Sequence, residues 1–82
     1  MKKDKYPQGF YQAVKSALND AEEKAGEPVH NVDIYRSLIE MGLTEEKPTG
    51  MRDMLFCLFD MVRNDEVLVD DEMSRYTMSA SL

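Results

Sequence analysis

The sequence contains little of what builds a covalent framework or a membrane span. Its 82 residues include one cysteine, one histidine and no tryptophan. A single cysteine, Cys57, excludes an internal disulfide, so we expect a reducing, cytoplasmic compartment. The longest apolar run, residues 54–59, is far shorter than the ~20 residues that span a bilayer. No apolar run follows Met1, so no signal peptide is expected.

Side chains that carry catalytic chemistry are equally scarce. A chain of this length buries only about 60% of its unfolded surface, which leaves room for one core and no enclosed cavity. His30 has no nucleophile paired with it in sequence, and Cys57 lies inside an apolar run typical of a buried position. No Cys/His pair has the spacing of a zinc site. The acidic residues 70–72 lack the glycine and the terminal glutamate of a calcium-binding loop. No Gly-rich phosphate-binding loop occurs. We predict a non-enzyme with no cofactor and no metal.

Positive charge is scarce in the second half of the chain. The whole chain has a net charge of −6, with 43% hydrophobic and 32% charged residues, a composition typical of a globular protein. Residues 1–36 contain six basic and six acidic side chains, whereas residues 37–82 contain four basic and ten acidic ones. The entire negative excess therefore lies in the second half.

Apolar spacing predicts two helices in the first half. The first covers Gln8–Ala25 and ends at Gly26. Its apolar stripe consists of Phe10, Ala13, Val14, Ala17, Leu18 and Ala21. After an extended segment that includes Val29, the second helix covers Val32–Met41, with Asn31 as its N-cap. We expect its buried side chains, together with the following residue that covers the core, to be Ile34, Tyr35, Leu38, Met41 and Leu43.

A third helix and a hairpin are predicted in the second half. Thr49 is the expected N-cap of a helix over Gly50–Asn64. A β-hairpin of residues 66–79 follows, with a polar turn at Asp70–Met73 between two short strands. The sequence thus predicts a mainly α fold with a small β-hairpin (α+β), as a single domain over residues 8–82. Residues 1–7 are expected to form a flexible basic arm.

The order helix, short strand, helix, helix, hairpin resembles the winged helix-turn-helix superfamily. The resemblance is carried by Val29 at the first short strand, by the capped helix of residues 31–38, and by residues 58–78, which close the third helix and form the wing. It implies the winged-helix fold. It also implies a DNA-binding transcriptional regulator, whose third helix enters the major groove and whose wing contacts the DNA backbone or minor groove.

The charges of the expected contact face depart from that family pattern. On the third helix and the turn after it, Arg52 and Arg63 are set against Asp53, Asp60 and Asp65. The wing tip is Asp70-Asp71-Glu72, with Arg75 nearby. Because neutralisation of phosphates dominates affinity for DNA, a face of this sign repels a duplex. The charge therefore favours a protein partner.

Six consecutive apolar residues, 54–59, point all round the third helix. We expect the core-facing side to consist of Leu55, Leu58, Phe59 and Val62. That register leaves Phe56 on the outward side among Arg52, Asp60 and Arg63. An aromatic side chain flanked by arginine is typical of an anchor in a protein interface. The alternative is that the hairpin folds back and covers Phe56.

Three functions follow as hypotheses. The favoured one is an acidic winged-helix protein that binds a basic protein partner, such as a polymerase, a nucleic-acid-binding complex or another regulator. Its predicted contact residues are Arg52, Asp53, Phe56, Asp60, Arg63, Asp70, Asp71 and Glu72. The second is a DNA regulator in which Lys47, Arg52, Arg63 and Arg75 would converge, with the basic arm at Lys2, Lys3 and Lys5 and a dimer partner as further sources of positive charge. The third is a homodimer that shares its first helix and has no other activity.

Overall fold

Three helices and a three-stranded antiparallel sheet make up the structure, a computed structural model that describes residues 9–44, 50–70, 72 and 74–79. The elements are α1 (Phe10–Ala25), β1 (Val29–His30), α2 (Asn31–Glu40), α3 (Gly50–Arg63), β2 (Val67–Val69) and β3 (Arg75–Met78). The predicted α+β class, dominated by helix, is confirmed. Of the helices in these ranges, none combines the length and the apolar character that crossing a bilayer requires.

The predicted hairpin is part of a larger sheet. β3 is the central strand, because β1 pairs with it on one side and β2 on the other. Val29 lies opposite Tyr76, and Leu68 lies opposite Thr77. Side chains alternate across a strand, so the fully buried Tyr76 faces the core and the exposed Leu68 faces away from it. The strand predicted at Val29 thus joins the hairpin through a long-range pairing.

Helix α1 is the element around which the core is arranged. It contacts α2, α3, β1 and β3. Its buried side chains are Phe10, Val14, Ala17, Leu18 and Ala21, as the apolar stripe predicts, while Ala13 is half-buried. Alanines on this face let neighbouring elements approach closely, because they add little side-chain bulk between backbones. The helix starts at Phe10 after Gly9, whereas the predicted first residue, Gln8, lies outside the described residues.

The start of α2 differs from the prediction by one residue. Its N-cap is His30, whose Nδ1 accepts a hydrogen bond from the backbone N–H of Val32 at 3.2 Å. Asn31, predicted as the cap, is already helical, and its N–H donates to the Ser74 carbonyl oxygen at 3.0 Å. Strand β1 therefore runs directly into α2, and its last residue also serves as the cap.

The end of α2 also corrects the prediction. Ile34 and Leu38 are fully buried and Tyr35 is half-buried, but Met41 and Leu43 are exposed. The helix ends at Glu40, and Gly42 has a φ of 72°, which turns the chain away from the core. Ser37, a polar residue that the apolar pattern does not assign to the core, is buried, and its hydroxyl donates to Asp20 at 2.8 Å.

Glu22 connects α1 to the central strand β3 through hydrogen bonds. Its Oε1 accepts the backbone N–H of Met78 at 2.8 Å, and its Oε2 accepts the Thr77 hydroxyl. Because β1 has only two residues and pairs only as far as Tyr76, it leaves the Met78 N–H without a strand partner. A carboxylate from α1 supplies the missing acceptor.

Candidate interaction surfaces on α3 and the hairpin

The buried face of α3 is rotated relative to the predicted one. The buried residues are Gly50, Asp53, Met54, Cys57, Leu58 and Met61. Leu58 is buried as expected and Leu55 and Val62 are half-buried, but Phe59 is 39% exposed, so its assignment to the core was wrong. Six consecutive apolar residues allow more than one inward face. Gly50 lies against the Tyr35 ring of α2, and a Cβ at this position would displace that side chain.

The outward face of α3 carries two phenylalanines between two arginines. We call Arg52, Phe56, Phe59 and Arg63 the outer α3 stripe. Their spacing of four, three and four residues keeps them on one side of the helix over about 17 Å. Both arginines are exposed, and Phe56 is half-buried. Among the described half-buried hydrophobic side chains, those packed against the core do not include Phe56.

Each arginine of the stripe lies beside an aspartate. Arg63 Nη2 is 3.3 Å from Asp60 Oδ1, one helical turn earlier, and Arg52 Nε is 3.9 Å from Asp53 Oδ1. Asp53 is only 7% exposed. It lies in the first turn of α3, where the helix dipole stabilises a negative charge. Its burial removes Asp53 from the surface that a partner can contact, whereas Asp60 remains partly accessible on the side of the stripe.

The hairpin tip is closed by one of the predicted contact residues. Asp70 Oδ1 accepts the backbone N–H groups of Ser74 at 2.9 Å and Arg75 at 3.3 Å. These hydrogen bonds, first that from Ser74, lower the pKa of Asp70, so the tip stays negatively charged at neutral pH. Glu72 is exposed, and Asp71 lies outside the described residues. Residues 64–66 and the three residues of β2 separate the end of α3 from the tip, and β2 itself spans about 10 Å.

Sequence reasoning missed a polar cluster that joins α1 to the turn between α3 and β2. Glu66 Oε1 accepts the Tyr11 hydroxyl at 3.0 Å and is 2.8 Å from Lys15 Nζ. Asn64 Nδ2 donates to the Tyr11 hydroxyl at 3.2 Å. The two halves of this cluster are separated by about fifty positions in the chain, so no local pattern indicates it.

Glu66 should make stability depend on acid pH. Its hydrogen bonds, first with Lys15 and then with Tyr11, lower its pKa below the ordinary value of 4.5. A carboxyl whose pKa is depressed by folding stabilises the protein above its unfolded pKa and loses that contribution as pH falls through the folded pKa. We therefore expect Glu66→Gln to lower the urea midpoint at pH 7 and to flatten its decline below about pH 4.5. Glu23→Gln, on the exposed side of α1, controls for the loss of one charge; equal pH profiles for both variants would contradict the role of Glu66.

The single cysteine is buried in the core. Cys57 is fully buried, and this burial, followed by the nearby charges of Asp60 and Asp53, raises its pKa to about 12. The thiolate is the reactive form, so native Cys57 should be almost inert. We expect alkylation by iodoacetamide to be at least ~100-fold slower in buffer than in denaturing urea. Fast labelling of the native protein, monitored by mass spectrometry, would contradict the burial of this thiol.

Two surface hollows are lined by α2, and neither contains His30 or Cys57. One, of about 240 Å³, lies between α1 and α2 and carries Lys24 and Arg36 together with Asp33 and Glu40. The other, of about 300 Å³, shares Arg36 and Glu40. Charges of both signs alternate there, so neither hollow selects a ligand of one charge.

Comparisons with protein-family models, with curated proteins and with solved structures give no match to this chain. Within the described ranges, histidine, cysteine and acidic side chains form no group of three that could hold a metal ion. Function is therefore inferred from the outer α3 stripe and the hairpin.

Proposed function

We propose that this protein is a small acidic winged-helix interaction protein that binds a basic protein partner through the outer α3 stripe and the acidic hairpin tip. The observation that carries the proposal is Phe59, 39% exposed between Arg52 and Arg63 on the outward face of α3. An exposed phenylalanine is costly to leave in water, and burial against a partner recovers that free energy. Exposed aromatic and arginine side chains are also typical of interface anchors.

The element order supports the winged-helix assignment. A helix, a short strand, two helices and a hairpin follow one another, and the short strand joins the sheet beside β3. In this arrangement α3 corresponds to the helix that DNA-binding winged-helix proteins place in the major groove. Here that position carries the outer α3 stripe.

A DNA-binding regulator is the second candidate, and specific residues favour it. Arg52, Arg63 and Arg75 are all exposed, while Lys47 and the basic arm lie outside the described residues. Against it, Arg63 is paired with Asp60, Arg52 lies beside Asp53, and the hairpin tip is acidic. A paired arginine neutralises a phosphate less effectively, because its own carboxylate competes. The phenylalanines between the arginines suit a protein surface better than a DNA backbone.

The proposal assigns no catalytic step to the chain. His30 caps α2, and Cys57 is buried with a raised pKa, so the two side chains most often used for acid–base and nucleophilic catalysis have structural positions. The outer α3 stripe offers no group that could act as a general base or a nucleophile. Recognition is the activity that this surface supports.

Two assays with the full chain test the proposal. In the first, tagged protein is incubated with nuclease-treated lysate, and retained proteins are identified. In the second, a gel shift at low salt uses mixed duplex DNA. We expect a retained basic protein and no shift. A shift that disappears with rising salt, and that Arg52→Glu and Arg63→Glu each weaken with a salt slope lower by about one, would establish the DNA regulator instead. A dimer by light scattering with neither ligand would establish the third hypothesis.

A further inference from the structure

Strand β2 is an edge of the described sheet. β3 covers one of its sides, and no described strand lies on the other. Two backbone hydrogen bonds fix which groups face that open side: Asp70 N–H donates to the Arg75 carbonyl, and Ser79 N–H donates to the Glu66 carbonyl. Antiparallel ladders alternate, so Leu68, Asp70 and the Glu66 carbonyl bond toward β3, while the Glu66 N–H donates to the Met61 carbonyl. Val67 and Val69 therefore direct their N–H and C=O groups away from it.

The Glu22 contact confirms independently which residues of β2 form hydrogen bonds with β3. Met78 lies opposite Val67, and its N–H points away from β2 to reach Glu22. The pair Val67–Met78 is thus a non-hydrogen-bonded pair of the ladder. Two N–H donors and two C=O acceptors, from Val67 and Val69, are left on the open side of β2. The Leu68 side chain, 56% exposed, stands between them on the outer face of the sheet.

Acidic residues flank this edge at both ends. The eight residues from Asp65 to Glu72 contain five acids and no base. Lys15 offsets Glu66, and Arg75 lies near Asp70, which leaves the segment negative. A strand edge with no described strand beside it, an apolar centre and negative ends matches an extended chain whose centre is apolar and whose ends are positive.

We infer that the open edge of β2 binds an extended segment of a partner protein as an added β-strand. The segment carries a β-branched or apolar residue beside Leu68 and lysine or arginine at both ends. The inference rests on the proposed function for the basic character of the partner, and it adds a second contact with a defined backbone geometry. Backbone hydrogen bonds to Val67 and Val69 supply the affinity, and the flanking charges select the partner.

A second copy of this chain is a poorer occupant of the same edge. Antiparallel pairing of two β2 strands around Leu68 would place Glu66 of one copy opposite Asp70 of the other. Like charges directly opposite one another destabilise a strand pair. A basic peptide turns both of these repulsions into attractions, so a partner of opposite charge is favoured over self-association.

The first test uses a fluorescent peptide of sequence KRVTVRK and the full chain, measured by fluorescence anisotropy. We expect binding that weakens with salt, and none by the matched peptide EEVTVEE. Val69→Pro removes an outward N–H without removing a bond to β3, and should weaken binding at least ~10-fold. The matched control, Val69→Thr, keeps that N–H and should change affinity less than ~3-fold. No binding of KRVTVRK up to about 1 mM would overturn the inference.

A second measurement leaves the protein unchanged, in case Val69→Pro fails to fold. Peptides N-methylated on alternate residues differ in which side of the strand can form hydrogen bonds. We expect one methylation pattern to abolish binding and the other to preserve it, because only one side of an added strand faces β2. Equal binding by both methylated peptides would show a purely electrostatic contact and overturn the inference.

Failure of this inference can be distinguished from failure of the proposed function. Val32→Ala, on α2, lies outside the β2 edge and should leave binding of KRVTVRK unchanged. If the lysate yields a protein retained through Phe59 but KRVTVRK does not bind, the edge inference fails and the proposed function stands. If KRVTVRK binds and no protein is retained, the proposed function fails while the edge remains a strand-binding site.

Discussion

Leu58→Ala lowers the free energy of unfolding by about 3 kcal/mol, whereas Leu68→Ala lowers it by less than about 0.5 kcal/mol. The chemical change is the same, but Leu58 is fully buried in α3 and Leu68 is 56% exposed on β2. Truncation of Leu58 loses the transfer free energy of its side chain and leaves a cavity, because the core formed with α1 relaxes only in part. Urea titration monitored by far-UV circular dichroism measures both variants.

A comparison of Leu58→Ala with a third substitution, Phe59→Ala, tests which face of α3 is buried. A domain of this size has about 5–10 kcal/mol of stability, so the loss at Leu58 should lower the melting temperature by more than 10 °C. Phe59→Ala, also on α3, should cost less than about 1 kcal/mol because Phe59 is partly in water. If Phe59→Ala costs as much as Leu58→Ala, Phe59 is a core residue and the outer α3 stripe does not exist.

Local signals in the sequence were sufficient for the elements of the first half. The apolar stripe of α1 repeats at helical spacing over four turns, and it matches the buried residues of that helix. Gly26 has a φ of 72° and ends the helix, as expected for a glycine C-cap. The strand at Val29 follows from the restriction that Pro28 places on the residue before it and from the helix start that follows. The stripe and the C-cap of α1 depend on interactions within a few residues, whereas the pairing of β1 with β3 is long-range.

The same reasoning failed where neighbours distant in sequence decide the outcome. In residues 54–59 every position is apolar, so hydrophobicity has no period from which to choose an inward face. The choice depends on which face fits the neighbouring elements, as the contact between Gly50 and Tyr35 indicates. The predicted cap at Asn31 failed for a related reason, because β1 pairs with β3 and fixes His30 at the boundary. Neither contact can be read from local spacing.

The wrong inward face predicted for α3 also changed the candidate site, as the position of Phe59 shows. The sequence placed one aromatic, Phe56, on the outward face of the third helix and assigned Phe59 to the core. The structure brings both onto the outer α3 stripe, with Phe59 the more exposed. The predicted surface is thus enlarged by one aromatic and loses one acid, because Asp53 is buried. A stripe at spacing 52, 56, 59 and 63 could have been found by testing every register of the apolar run.

Phe59→Ala should weaken binding of the retained basic partner at least ~30-fold while the protein stays folded. A phenylalanine that becomes buried at the centre of an interface contributes about 2 kcal/mol or more, and every 1.4 kcal/mol is tenfold in affinity. Isothermal titration calorimetry with the partner identified in the lysate assay measures the change. Arg52→Glu combined with Phe56→Ala should abolish binding, since it removes two further members of the same stripe.

The control for Phe59 is an equally exposed apolar residue on another helix. Val32 on α2 is 44% exposed, so Val32→Ala tests for a general loss of surface hydrophobicity. We expect its effect on affinity to be under ~3-fold. Equal losses for Val32→Ala and Phe59→Ala would mean that the partner does not dock on α3. Loss of binding together with a lower urea midpoint for Phe59→Ala would mean that the substitution acts through folding.

The outer α3 stripe and the acidic tip should affect different rate constants. Long-range attraction between opposite charges speeds encounter, so Asp70→Asn with Glu72→Gln should lower the association rate and its dependence on salt. Packing of an aromatic side chain forms only after docking, so Phe59→Ala should act mainly by raising the dissociation rate. Asp70 also closes the hairpin turn through Ser74, and Asp70→Asn keeps an oxygen that can accept that hydrogen bond. Surface plasmon resonance resolves both rates, and an effect of the tip substitutions confined to dissociation would contradict a steering role for the tip.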